Sequence, residues 1–174
     1  MKKLLLIATI CSVFSIATRA QSRDRGFTVS GGLNLNLPTG DFSNGWTFGL
    51  GFQLQGEWGL ASNVTGVATT GYSQYFGKTV SIPGYGGFTT PNIGFIPFLF
   101  GIRVYPSETF FIGAQAGFGT FTNTGASGNS GFDFYPQIGF NGRSAQLILG
   151  YNVISVSAGS NANLEMTAIF KFGH

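Results

Sequence analysis

Charge is the first thing this sequence lacks. Only 9% of its residues are Asp, Glu, Lys or Arg, where an ordinary soluble protein carries about 25%. A water-facing surface assembled from so few charges is hard to keep in solution. Three of the nine basic residues, Lys2, Lys3 and Arg19, fall within the first twenty positions, so the rest of the chain sets six basic groups against six acidic ones. No basic field remains to hold a polyanion, and nucleic acid is excluded as a partner.

Cysteine and histidine are nearly absent too. The single cysteine, Cys11, lies in the N-terminal apolar run, so the chain beyond it has neither disulfides nor thiolate ligands. Ile10 precedes it where a lipoprotein cleavage site needs a small residue, which argues against a lipid anchor. The one histidine is His174, at the C-terminus. A Ser-His-acid hydrolase therefore lacks its base, and scattered carboxylates make no metal site. No catalytic, cofactor-binding or metal-ligating residue is assigned, and the chain is expected not to be an enzyme. A lipid-active membrane enzyme is the least favoured reading. The glycine runs precede no helix and cannot cradle phosphates.

Long hydrophobic runs are missing except at the start. Leu4 to Ile16 follows Lys2-Lys3 and is closed by Thr18-Arg19-Ala20. The run falls short of the roughly 20 apolar residues of a spanning helix. It reads as a secretory signal peptide over residues 1–20, cut between Ala20 and Gln21, which leaves residues 21–174 as one domain.

What is abundant is glycine, with 28, and phenylalanine, with 19, and both fall into a two-residue rhythm. WTFGLGFQLQGEW, from Trp46 to Trp58, places Phe48, Leu50, Phe52 and Leu54 on one face and Gly49, Gly51, Gln53, Gln55 and Glu57 on the other. Such alternation is that of a β-strand with one dry and one wet face. It recurs near 26–37, 92–105, 110–121, 132–141, 145–154 and 163–172, and more weakly near 64–76, where a Val64/Ala68/Tyr72 face and a Val67/Thr69/Tyr75 face compete. Short turn-like links (GLASN, PSET, NGRS) alternate with longer ones rich in Gly, Ser, Thr and Asn. Long and short connections therefore fall on opposite rims, with both termini on the short-turn rim.

Strand length and interior volume decide which face is wet. A strand of about thirteen residues tilted near 45° spans roughly 30 Å, the thickness of a bilayer's hydrocarbon core. An eight-stranded barrel leaves an interior just wide enough for side chains. The Gly, Thr, Asn, Ser and Gln set fits there; the alternating Phe, Trp, Leu and Ile set belongs in lipid. Trp46, Trp58, Tyr105, Phe110, Phe170 and Phe172 are expected in the interfacial girdles. A soluble secreted barrel of lipocalin type is the competing architecture, and long strands with little surface charge count against it. The expected fold is all-β: an eight-stranded antiparallel up-and-down transmembrane β-barrel.

The segments GFTVSGGLNLNLPTGDFSNGW and IPFLFGIRVYPSETFFIGAQAGFG, with a last strand ending in FKF, resemble the porin-type outer-membrane β-barrel family of Gram-negative bacteria, which includes the small barrels of outer membrane proteins A and X. The resemblance covers essentially all of the chain after the signal peptide. It implies an outer-membrane location after export, contact with outer-membrane lipid, a monomer, and recognition by the barrel-assembly machinery through Phe170 and Phe172, although Gly173-His174 follow them.

Five ionisable residues carry inner-face parity: Glu57, Arg103, Asp133, Glu165 and Lys171. Burying them unpaired would be costly, so they are expected to form an ion-pair cluster in the lumen. Mutual satisfaction is the favoured reading and gating the alternative; bilayer conductance of Glu57→Ala and Arg103→Ala separates the two. The expected function is an integral outer-membrane protein with a structural or surface-interaction role, its loops (Tyr85 and Phe88 among them) reaching an extracellular partner. A small-solute porin or gated narrow channel is the alternative.

Overall fold

The computed structural model describes residues 26–82, 86–122, 130–157 and 159–172. The expected signal peptide, Tyr85, Gly173 and His174 lie outside the described residues. Eight long strands close into a barrel: β1 (Phe27–Thr39), β2 (Trp46–Ala61), β3 (Val64–Gly77), β6 (Ile93–Ser107), β7 (Phe110–Thr122), β8 (Ser130–Asn141), β9 (Ala145–Val156) and β10 (Gly159–Phe172). Each pairs antiparallel with its chain neighbour in the barrel, and β1 meets β10 in a continuous register from Val29↔Phe172 to Thr39↔Ala162. Closure leaves none of these eight strands with an unpaired edge, as a hydrocarbon environment requires.

The outer face carries the alternating apolar set. Leu33, Phe52, Phe98, Phe100, Phe118, Phe134, Phe140 and Leu149 are all exposed, Leu33 to 70%, in a continuous belt around the sheet. Asn34, Asn36, Gln53, Gln55, Gln115, Gln137, Gln146 and Asn152 of the opposite parity are buried. On β3 the inner face is Val67, Thr69, Ser73 and Tyr75, which resolves the two competing faces in favour of the second. The outer face of β3 carries Gly66, over which the Trp58 ring lies so closely that a Cβ would stand 2.2 Å from it.

Three features depart from the sequence expectation. The 77–91 connection contains two further strands, β4 (Thr79–Ile82) and β5 (Gly86–Thr89), paired as a separate hairpin with Phe88 67% exposed; strands of four residues are too short for alternation to reveal. The connection expected between the stretches 145–154 and 163–172 is mostly strand, because Val156 already pairs with Gly159. Between β1 and β2 lies one helical turn, α1 (Phe42–Gly45), entered through Gly40 at φ +57°, a conformation glycine adopts at little cost.

The lumen is also less polar than volume alone suggests. Phe42, Tyr75, Ile93, Phe95, Phe121 and Ile154 form an apolar cluster inside the long-loop end, and Phe111, Ile148 and Ile169 form another near the short-turn end. All but Phe42 fall on inner-face parity, and the glycines beside them make the room: a Cβ on Gly139 would stand 2.5 Å from the Phe111 ring. Two expected girdle residues turn inward as well. Trp46 packs on the Phe42 cluster because a register shift between Trp46 and Phe48 inserts a residue and flips its face. Tyr105 shares the parity of Arg103 and packs against Phe111, ring centroids 5.5 Å apart.

Candidate functional site

Arg103, from the inner face of β6, is fully buried at the centre of a polar network in the short-turn half of the lumen. Its Nη1 donates to Glu57 Oε1 on β2 and, at 3.2 Å, to Gln146 Oε1 on β9. Its Nη2 donates to Gln55 Oε1 and to Gln137 Oε1, both at 2.7 Å. The guanidinium lies 4.4 Å from the centroid of the Phe111 ring, a cation–π distance. Four other strands, β2, β7, β8 and β9, thus converge on one side chain whose planar fork supplies several donors at fixed angles.

The surrounding amides close the network. Gln55 Nε2 donates to Glu57 Oε1 at 2.8 Å, and Gln146 Nε2 donates to the same oxygen at 3.1 Å and to Asn141 Oδ1 at 3.1 Å. Lys171 Nζ donates to Asn141 Oδ1 at 2.6 Å and to the Gly142 carbonyl at 2.9 Å. Lys171 therefore joins the network through an asparagine and makes no direct ion pair with Glu57. Gln55, Gln137 and Gln146 all carry inner-face parity, and register along the strands brings them to one level.

The other two candidate carboxylates lie apart from this centre. Glu165 Oε1 accepts from Tyr135 Oη at 3.1 Å and Thr167 Oγ1 at 2.9 Å. Asp133 is fully buried nearer the long-loop end, with no hydrogen bond to either carboxylate oxygen. A third polar group, Asn34, Asn36, Ser73 and Asn163, is linked by bonds of 2.9 to 3.3 Å. Among the described residues no cluster of three or more His, Cys, Asp or Glu side chains suits a metal ion.

The two ends of the lumen differ. At the long-loop end Phe42 sits in the mouth, its ring 4.9 Å from Trp46, 5.0 Å from Tyr75 and 5.9 Å from Phe121. At the short-turn end an open vestibule of about 560 Å³ is lined by Glu57, Thr65, Tyr105, Glu108, Asn141 and Lys171 among others. The polar network forms its floor.

A closed eight-stranded antiparallel barrel with an apolar outer belt and a polar interior has the architecture of a transmembrane β-barrel. The fold is similar to that of the Yersinia pestis outer membrane protein Ail in a phospholipid bilayer nanodisc, with a TM-score of 0.59 and 11% identity over 83% of this chain and 99% of that one. The crystal structure of Ail, the attachment invasion locus protein, gives 0.54 and 13% over 84% and 97%. A de novo designed transmembrane β-barrel gives 0.53 and 12% over 83% and 95%. No family model and no curated protein sequence matches the chain. The likeness is one of fold, the fold the sequence resemblance led us to expect.

Proposed function

We propose that this is an integral protein of a Gram-negative outer membrane, exported by its N-terminal signal, that is closed to bulk solute and acts structurally or through its external face. The observation that carries the reading is a lumen blocked at two levels. Phe42 and its aromatic neighbours occupy one mouth, and the Arg103 network spans the other half. The long connections, including the β4–β5 hairpin with exposed Phe88, are then what the protein offers to the outside; the similar fold of Ail, an attachment invasion locus protein, supports a surface role by analogy of fold alone. Among the described residues no set of side chains supports catalysis. The barrel acts as a monomer and is inserted by the assembly machinery that reads its last strand.

Fractionation with surface proteolysis tests the topology. Cleavage within residues 77–91 on intact cells, with the product in the outer membrane, is expected; a soluble periplasmic protein would overturn the reading. In planar bilayers the wild-type barrel is expected to show no steady ion conductance.

A gated narrow channel is the second reading, supported by the vestibule that opens onto Glu57 and Lys171. In that case the Glu57–Arg103 pair is the gate, and Arg103→Ala conducts where the wild type does not. Equal, closed behaviour of the two proteins removes this reading.

A further inference from the structure

The charges inside the barrel are unevenly distributed. Both basic residues on the lumen side, Arg103 and Lys171, serve the short-turn half, where Arg103 pairs with Glu57. Asp133 lies four residues beyond Gln137 along β8, roughly 13 Å from that level at the rise of a strand. Among the described residues no basic side chain pairs with it. It is fully buried, and neither carboxylate oxygen completes a hydrogen bond. A buried carboxylate left so is costly.

Its neighbours are matched to it in kind. Asp133 pairs with Gly117 on β7 and with Ile154 on β9. The inner-face residues one diagonal step towards the short-turn end on those strands are Gln115 and Asn152, each within side-chain reach of Asp133. Gln115 is 1% exposed with both Oε1 and Nε2 unpartnered, and Asn152, 3% exposed, has Oδ1 unpartnered. On the long-loop side a Cβ on Gly119 would stand 3.3 Å from Asp133 Oδ2 and 2.4 Å from the Phe95 ring, so the carboxylate lies beneath the apolar cluster. The Arg103 network closes the other end.

We propose that Asp133, Gln115 and Asn152 form an internal site for a hard cation, an alkali or alkaline-earth ion, held between the apolar mouth and the Arg103 network. Carboxylate and amide oxygens are the donors such ions take, with water completing the shell. The set holds no nitrogen or sulfur ligand of the kind a transition metal prefers. The ion supplies the positive charge that no side chain supplies at this level, and the amides supply oxygens that otherwise lack a partner.

Equilibrium dialysis of the full barrel, refolded into detergent micelles with radiolabelled Na⁺, K⁺ or Ca²⁺ present from the start, tests this against choline chloride at equal ionic strength. One of the three cations is expected to bind at one per chain. Asp133→Asn is expected to abolish binding and Gln115→Leu to weaken it at least about tenfold, the lower end of what loss of even an outer-shell partner costs a metal site, while Asp41→Asn, which removes a carboxylate from the exposed β1–β2 connection, keeps it. If Asp133→Asn does not fold, the wild type and Gln115→Leu decide. Absence of a stoichiometric ion for all three cations overturns the site, as does binding unchanged in Asp133→Asn or Gln115→Leu. A stability that responds to pH but to none of the cations assigns the neutralising charge to a proton instead.

Discussion

Arg103 on β6 and Glu57 on β2 form an ion pair across β3, the strand that separates theirs in the barrel wall. The pair is buried, Arg103 completely, and stitches non-adjacent strands through the lumen. Removing one member strands the other charge, which typically costs about 3–5 kcal/mol, whereas replacing both with apolar groups of similar volume is often neutral. Arg103→Met is therefore expected to lower stability by about 3 kcal/mol or more, and Arg103→Met/Glu57→Leu to recover most of the loss. Urea unfolding of the refolded barrel in micelles measures both, and a double variant no better than the single one would contradict the pairing.

Much of this barrel was legible in its residues, and what was not has local causes. Alternation placed the belt and the inner amides because the period of a strand is two and lipid admits one face only. It failed at Trp46, where one inserted residue reverses parity. Interior volume argued for small polar side chains inside, but glycines at 119, 139 and 150 leave room for Phe95, Phe111 and Tyr135. The lumen charges were visible one by one. Their division into an Arg103–Glu57 centre and two separate carboxylates depends on register along the strands, which composition does not carry.

Phe42 closes the long-loop mouth from a single helical turn and is 1% exposed. Phe42→Ala removes the ring that Trp46, Tyr75 and Phe121 surround, and a buried Phe→Ala change costs about 3–5 kcal/mol. Because the Trp46 ring lies 4.9 Å from it, the variant in a Trp58→Phe background is expected to shift Trp46 emission to the red. Unchanged emission and stability would mean that Phe42 does not seat in the mouth.

Gly150 tests how tightly the middle of the lumen is filled. A Cβ there would stand 2.3 Å from the ring of Tyr135, which is 2% exposed and donates its hydroxyl to Glu165. Gly150→Ala is expected to displace that ring and cost about 1–3 kcal/mol, the usual range for overpacking. Gly56→Ala, on the outer face, meets only the flexible edge of Phe27 at 3.2 Å and should be close to neutral. Equal effects of the two would contradict a packed lumen.

Phe100 and Val104 share the outer face of β6, Phe100 64% exposed near the middle of the strand and Val104 38% exposed near its short-turn end. If the outer face meets lipid, a charge there carries a cost that depends on depth. An arginine at the bilayer midplane of such a barrel costs about 2–4 kcal/mol, and one near the interface about 0–1. Phe100→Arg is therefore expected to destabilise the barrel by about 2–4 kcal/mol in liposomes and Val104→Arg by about 1 or less. A water-facing barrel reverses the logic, because exposed arginine is benign in water and both variants would then unfold like the wild type. Urea titration after insertion into phosphatidylcholine vesicles reads the difference, and equal midpoints for the three proteins would exclude β6 from the membrane.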